Sequence, residues 1–425
     1  MSSNTPTIML SIIAGDALGT PLDGMSKGHI GACFGELSGF ADPEPALRGK
    51  MDRWKKPGLY SSISQFMLLL GMSCLRKGPC IDPFLRCLSE SPALAESGYG
   101  IFRWPDAVES DFIARCKDRK KAAAPAGYPS TRIIASLAPL AFRRAATHDM
   151  LAETTGFLRL FTADLKTLAA GLVHAFLLKT LSEGGSAGTD PVRSAASCAS
   201  ALADMIASDC PSQIFAAGAN PDALAAEVRW LAEILASVAG ADSPGAAEGI
   251  ICTHINRCIP GRITRATVNM PSALFPYAVA FTSFHRNDGQ ILYRAAGEGG
   301  SSASFTAIVG SLAASCDKAA SVPEELIQGL INRKKIVSII GILTAGASDP
   351  ALAEEFLGAE ASLTHKAEEE LRARTRHMKK KPEKKSPSRA NREEALTRHI
   401  VESWTKIDKA KWKKERKQRE QNEES

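Results

Sequence analysis

The chain has 425 residues, 44% of them hydrophobic and 6% aromatic, with 52 basic against 46 acidic side chains for a net charge of +6. That length holds one large or two to three ordinary domains, and that apolar content supports a sizeable core, so wholesale disorder is excluded. The charge is segregated: residues 371–425 carry 19 basic and 9 acidic side chains, a net of +10, while residues 1–370 carry 33 and 37, a net of −4. An argument from basicity to a polyanionic partner therefore concerns the tail alone.

Met1 to Pro6 lacks the basic region of a secretory leader, and the ten cysteines form no CxxC pair, which reads as reduced thiols in a cytoplasmic protein. The apolar runs Ile8 to Ala14, Phe66 to Leu75 and Ile336 to Ala345 fall short of the roughly 18 residues of a bilayer span, so no transmembrane segment is expected. The body reads as all-α. Ala-rich and Leu-rich helical spacing predicts helices over Ser62 to Leu75, Thr131 to Ala146, Met150 to Leu181, Ala195 to Ile206, Pro221 to Val238, Pro271 to Phe284, Ser304 to Cys316 and Glu324 to Leu343. Pro79, Pro105, Gly127 to Pro129, Gly184 to Gly188, Pro211, Gly240 to Gly245, Pro260 and Gly297 to Gly300 mark the loops between them. No repeat of 20 to 50 residues is present, which disfavours a solenoid.

The division that follows is a helical domain over residues 1–365, a charged linker over 366–390 and a basic amphipathic helix over 391–425. Lys379 to Ser388 holds too little apolar surface to order itself, and beyond it Leu396, Ile400, Trp404 and Ile407 form one apolar stripe on a helix ending in the basic run Lys409 to Lys417. Basic side chains interleaved with Trp404 and Trp412 suit a nucleic acid or an anionic surface, against the plainer reading of a solvated helix.

Three segments are candidates for chemistry. Gly15-Asp16-Ala17-Leu18-Gly19 follows a short apolar helix, with Asp23 four residues on; its glycines suit close packing or a turn, and Asp16 suits a helix cap. Gly58 to Phe66 places the hydroxyls of Ser61, Ser62 and Ser64 at a helix start. Gly299-Gly300-Ser301-Ser302-Ala303-Ser304 opens an apolar helix, a turn whose free N–H groups and hydroxyls suit a phosphate or another anion. Cys252, His254 and Cys258 match no common zinc spacing, and the eight histidines form no cluster with Asp or Cys, so all are read as structural or solvated.

Taken in order, these segments resemble the ADP-ribosylglycohydrolase family, which includes dinitrogenase reductase-activating glycohydrolase and the J1 crystallins. The family opens on Gly-Asp-Ala-Leu-Gly with an acidic residue four positions on, matched by Gly15 to Gly19 and Asp23. It closes on Gly-Gly-Asp-x-Asp-Thr before a helix ending Val-Gly-Ala-Leu, matched in frame by Gly299-Gly300 and Thr306 to Leu312, with Val322-Pro323-Glu324-Glu325 similar to the Ile-Pro segment after it. Ile134 to Leu140 is similar to the family's Met-Arg-x-x-Pro-Leu segment.

The resemblance implies two magnesium ions beside ADP-ribose, held by paired aspartates and neighbouring threonines of the second and last motifs. Here the Thr-Asp-Asp-Thr slot reads Ser61-Ser62-Ile63-Ser64, and the Asp-x-Asp-Thr slot reads Ser301-Ser302-Ala303-Ser304. Magnesium needs oxygen ligands and carboxylates to neutralise it, so the sequence supports no metal and no cofactor. The implied reading is a catalytically degenerate member, a pseudoenzyme that binds ADP-ribose or an ADP-ribosylated partner or serves as a scaffold. The ligand-binding candidates are Asp16, Ser61, Ser62, Ser64, Gly299, Gly300, Ser301, Ser302 and Ser304. The alternative is an active hydrolase of N- or O-linked ADP-ribose with an atypical site, Asp23 acting as general base and Glu298 the nearest candidate for an acidic partner.

Overall fold

The computed structural model describes residues 4–76, 78–96, 100–117, 125, 127–143, 145–183, 190–208, 220–259, 261–316, 322–347 and 351–380. Among them the secondary structure is helical, with one isolated antiparallel bridge between Ser26 and Gly299 and no strand. Contacts divide the chain into two units, residues 1–371 and 372–425. Of the second, only the end of the helix Leu352–Lys380 lies among the described residues. The expected basic helix over 391–425, with its nucleic-acid or surface-binding role, falls outside them, as do the loop markers Gly184 to Gly188, Pro211 and Pro260.

The core is built from helices that are apolar all round and therefore buried all round. Every residue of Ser62–Cys74 is buried, and so is nearly every residue of Thr5–Gly19 and Ser302–Cys316. Thr5–Gly19 and Ser302–Cys316 lie side by side at very short range. A Cβ on Gly19 would stand 2.4 Å from the Ser302 carbonyl oxygen, and one on Gly15 would stand 2.6 Å from that of Thr306. Both positions must be glycine for the two backbones to touch. Of the two roles open to Gly15 to Gly19, close packing or a turn, the structure takes the first, and the segment is the last part of a helix.

Around this centre sit amphipathic helices such as Thr147–Phe161, Pro191–Ser208 and Pro221–Val238, each burying one apolar stripe. Prolines at the first turns of Pro221–Val238, Pro244–Asn256 and Pro271–His285 remove N–H groups that would have no partner there. An aromatic cluster closes one side, with Phe66 stacked on Phe102 at 4.2 Å and Phe112 against Phe161 at 4.1 Å.

Several expected helices are interrupted. Thr131 to Ala146 is two short helices, Arg132–Ala135 and Ala138–Ala141, because Pro139 has no N–H to continue the first. Met150 to Leu181 breaks into Thr147–Phe161 and Leu165–Glu183 where Asp164 caps the second helix, accepting from the Thr167 N–H at 2.8 Å. Glu324 to Leu343 divides at Asn332, whose left-handed φ of 64° is compatible with neither helix. Pro244–Asn256 forms where no helix was expected, started by Ser243 capping the Ala246 N–H.

The linker expected from residue 366 is instead helical to Lys380, since Ala367 to Arg374 is made of strong helix formers, with Glu369 in it paired at 3.2 Å to His365 one turn back. Leu165–Glu183 is, among the described helices, long and apolar enough to cross a membrane, yet 61% of its most apolar window is buried inside the protein, as for a core helix. The nine described cysteines are free thiols.

Candidate functional site

Asp16 lies on the buried side of the first helix and is fully enclosed. Its carboxylate accepts from the Ser61 N–H at 2.9 Å, the Ser64 N–H at 3.2 Å, the Ser61 and Ser64 hydroxyls at 2.6 Å each and the Thr20 hydroxyl at 2.9 Å. It therefore caps Ser62–Cys74 from a different helix, satisfying N–H groups that a helix start leaves open. Asp16, Ser61 and Ser64, expected to face a ligand, face one another instead. Ile63 is buried in the core, and Ser62 turns the other way, donating to Glu109 Oε2 at 2.8 Å.

The Gly299 to Ser304 turn is laced to the segment after Asp23. The Gly24 N–H donates to the Gly300 carbonyl and the Gly300 N–H to the Met25 carbonyl, both at 2.8 Å. Gly299 and Gly300 have φ of 71° and 69°, and a Cβ on either would stand 2.3 or 2.2 Å from a neighbouring carbonyl oxygen, so only glycine fits. Four backbone donors of the expected anion cradle are already used within the protein. The N–H groups at Gly299, Gly300, Ser301 and Ala303 donate to Ala296 O, Met25 O, Thr267 O and Asp23 Oδ1. The Ser302 hydroxyl points inward to the Ala296 carbonyl at 3.1 Å. A close-packed turn satisfies its own donors before any ligand arrives.

Asp23 is the hinge of the site. Oδ1 accepts from the Ala303 N–H at 2.9 Å, capping Ser302–Cys316, while Oδ2 lies 3.2 Å from Lys55 Nζ and 3.5 Å from Arg132 Nη1. It opens onto a cleft of about 450 Å³ whose walls include Gly24, Trp104, Asp106, Thr131, Arg132, Asn269, Gly300, Ser301 and Ser304. Of the residues expected to bind a ligand, Gly300, Ser301 and Ser304 line this cleft with Asp23. Ser61 and Ser62 lie behind it under the Arg132 guanidinium.

Trp104, Asp106, Glu109 and Arg132 were not singled out in the sequence, and neither was Arg103, which supports the first of them. Trp104 holds a left-handed backbone with φ of 47°, a conformation costing a bulky residue about 1–3 kcal/mol, and its ring lies 6.0 Å from Lys55 Nζ. It is held there by its neighbours. The fully buried Arg103 donates to the Tyr60 carbonyl at 2.9 Å and to Glu360 on the last helix at 2.5 Å. On the other side, Asp106 Oδ1 accepts the Glu109 N–H at 2.8 Å and Glu109 Oε2 accepts the Asp106 N–H at 2.9 Å. That reciprocal pair is a capping box, and the string Asp-x-x-Glu was the one available signal for it. Burial lifts Glu109 above the usual carboxylate range, with the Arg132 charge pulling the other way, and Glu109 Oε1 has no hydrogen-bond partner.

The fourth is Arg132. Nε donates to Glu109 Oε2 at 2.9 Å, and Nη2 donates to the Ser61 hydroxyl at 2.6 Å and the Ser62 hydroxyl at 2.9 Å. Burial alone would push this guanidinium down; the carboxylates of Glu109, Asp23, Asp16 and Asp106 outweigh it and hold its pKa above the ordinary value. The two magnesium ions implied by the family resemblance do not fit these residues. Ser61 and Ser62 of the second-motif slot already accept a guanidinium N–H, Ser64 donates to Asp16, and the carboxylates that remain are bonded to the guanidinium or to backbone. Glu298, the expected acidic partner, is not in the cleft wall: it accepts from Lys27 at 2.5 Å, Arg265 at 2.8 Å and the Tyr277 hydroxyl at 3.3 Å.

A second cavity of about 380 Å³ shares Asp23 and Gly24 with the first and is rimmed by His29, Arg48, Lys50 and Arg53.

No curated protein matches the chain. Among solved structures, a chain of an ADP-ribosylglycohydrolase-related protein complex is similar at 19% identity and a TM-score of 0.48, over 81% of this chain and 98% of its own length. The ADP-ribosylglycohydrolase family model matches residues 8–369, from the helix carrying Asp16 to the helix carrying Glu360, and the chain belongs to that family.

Proposed function

We propose that the protein binds ADP-ribose, free or attached to a protein, and does not hydrolyse it. The observation that carries this reading is the cleft itself, where Asp23, Ser301 and Ser304 meet the Arg132 guanidinium in place of facing carboxylate pairs. Hydrolysis of a glycosidic bond to ribose needs an activated water and a proton source. The acidic wall residues are poorly placed for either role: both oxygens of Asp23 accept from protein donors, and Asp106 is occupied by the Glu109 N–H and by the Ser130 hydroxyl at 2.7 Å. An apolar ring with a polar tip at Trp104 and hydroxyls at Ser301 and Ser304 suit a nucleotide, whose base stacks and whose sugar and phosphates take hydrogen bonds.

The adjoining cavity favours an attached rather than a free ligand. A group leaving the cleft past Asp23 and Gly24 enters the rim of Arg48, Lys50 and Arg53, which suits an acidic stretch of a modified protein.

Titration calorimetry with ADP-ribose tests the binding, and release of ADP-ribose from modified arginine or serine peptides tests the chemistry, each with and without magnesium. Heat without turnover is the expected result. Magnesium-dependent turnover overturns it in favour of the hydrolase, and the absence of heat at millimolar ADP-ribose leaves the scaffold reading.

A further inference from the structure

Arg132 is the point through which the separate parts of the cleft are joined. Its side chain is 8% exposed and comes from the short helix that runs into the Ile134 to Leu140 segment, and it reaches the start of Ser62–Cys74 through Ser61 and Ser62. It also reaches the start of Ala107–Lys117 through Glu109, and Asp23, which in turn caps Ser302–Cys316. Two of these three helix starts are where the family resemblance places its metal ligands. A guanidinium is planar, permanently charged and carries five N–H donors. Three are used at 2.6–2.9 Å by Ser61, Ser62 and Glu109, and Nη1 lies 3.5 Å from Asp23 Oδ2 as an ion pair. One N–H on Nη1 remains on the cleft side.

We propose that Arg132 is the resident cation of this cleft, standing in for the divalent ions of metal-using relatives. It neutralises Asp23 and Glu109, ties the helix starts together, and offers its remaining N–H to an anionic oxygen of the ligand. The second part rests on the reading of the cleft as an ADP-ribose site; the first does not. With four carboxylates absent from the two motif slots, a buried arginine supplies the positive charge at these helix starts. The Arg132 charge, with Lys55 at the outer side of Asp23, stands where the ions would, and fewer negative charges are needed to balance it. A lysine cannot take this place, because a single ammonium lacks the planar fork that spans Ser61, Ser62 and Glu109 together.

The test uses the full chain and two readouts. The first is thermal unfolding of the wild type, Arg132→Lys and Arg132→Gln in millimolar MgCl2, MnCl2 or EDTA. The wild type unfolds at the same temperature in all three. Arg132→Gln unfolds earlier and is restored in part by MnCl2, which neutralises the exposed Asp23 and Glu109, and Arg132→Lys lies between. The second is calorimetry with ADP-ribose, where Arg132→Gln loses about tenfold or more in affinity, the scale of one charge-assisted hydrogen bond, and EDTA changes nothing in the wild type. A wild type stabilised by magnesium, or an Arg132→Gln variant as stable as the wild type, overturns the resident-cation assignment. A wild type that gives no heat with ADP-ribose while the unfolding pattern holds overturns only the ligand reading.

Discussion

Replacing Asp16 separates a structural role from a ligand-binding one, because the two predict different costs. In Asp16→Ala the Ser61 and Ser64 N–H groups, both enclosed, lose their partner. A buried unsatisfied donor costs about 1–3 kcal/mol, so the pair costs about 2–6 kcal/mol before the three hydroxyls are considered. Asp16→Asn behaves differently. Its carbonyl oxygen can stay on the Oδ2 side and keep both N–H groups, which puts the NH2 where Oδ1 met the Thr20 and Ser61 hydroxyls. The Thr20 hydroxyl can rotate to accept. Ser61 Oγ cannot do so freely, because it already accepts from Arg132 Nη2 at 2.6 Å and the Ile63 N–H at 3.3 Å. One poor contact remains, for a cost of about 1–3 kcal/mol. Urea unfolding at neutral pH, followed by circular dichroism, should place the asparagine variant between wild type and alanine. Against a typical total of about 5–15 kcal/mol, the alanine variant loses a large share. If both variants stay within about 0.5 kcal/mol of wild type, Asp16 is not the cap described and the argument from its hydrogen bonds is wrong.

Gly19→Ala pushes a Cβ to 2.4 Å from a backbone oxygen that cannot move aside, and should cost about 1–3 kcal/mol or more, whereas Gly249→Ala in an open part of Pro244–Asn256 should gain about 0.5–1 kcal/mol; melting temperatures of the two variants check both signs. Glu360→Ala strands Arg103 in the core beside Tyr60 and Gln65 and should cost about 3–5 kcal/mol, while the double variant Arg103→Met with Glu360→Leu should cost clearly less than the sum of the two single changes in a denaturant double-mutant cycle. Burial lowers His174 from 6.5 to about 4, so between those values the unfolded chain binds more protons than the folded one, and stability falls as pH drops through that window. The loss is on the order of 3 kcal/mol and should be absent from the pH profile of His174→Gln, measured by urea unfolding.

The helical class was legible because its signal is local. Apolar spacing near 3.6 residues, Ser, Asn and Asp caps, and prolines at first turns are all written in short windows, and Pro221–Val238 falls where it was expected to the residue. The Gly-Asp-Ala-Leu-Gly and Gly-Gly turns were legible as a family frame, and so was the loss of carboxylates at Ser62, Ile63, Ser301 and Ala303. Breaks at Asn332 and Asp164 were missed because one residue's backbone angle or cap decided them against the surrounding propensity.

The sequence by itself determined an all-helical body, a segregated basic tail and a motif frame emptied of its paired acids. Only the tertiary structure decided what each remaining polar residue does. Asp16 and Ser64 lie 48 positions apart and Asp23 and Ala303 lie 280 apart, yet each pair is hydrogen-bonded, where a helix start with unpaired N–H groups meets a carboxylate from elsewhere in the chain. Arg132 was not marked by the Ile134 to Leu140 segment beside it, because its partners are brought to it by the packing of Gly15 and Gly19 against Ser302–Cys316 and by the capping of Ser62–Cys74. A charge in a low-dielectric interior is defined by what surrounds it, and that is a property of the fold.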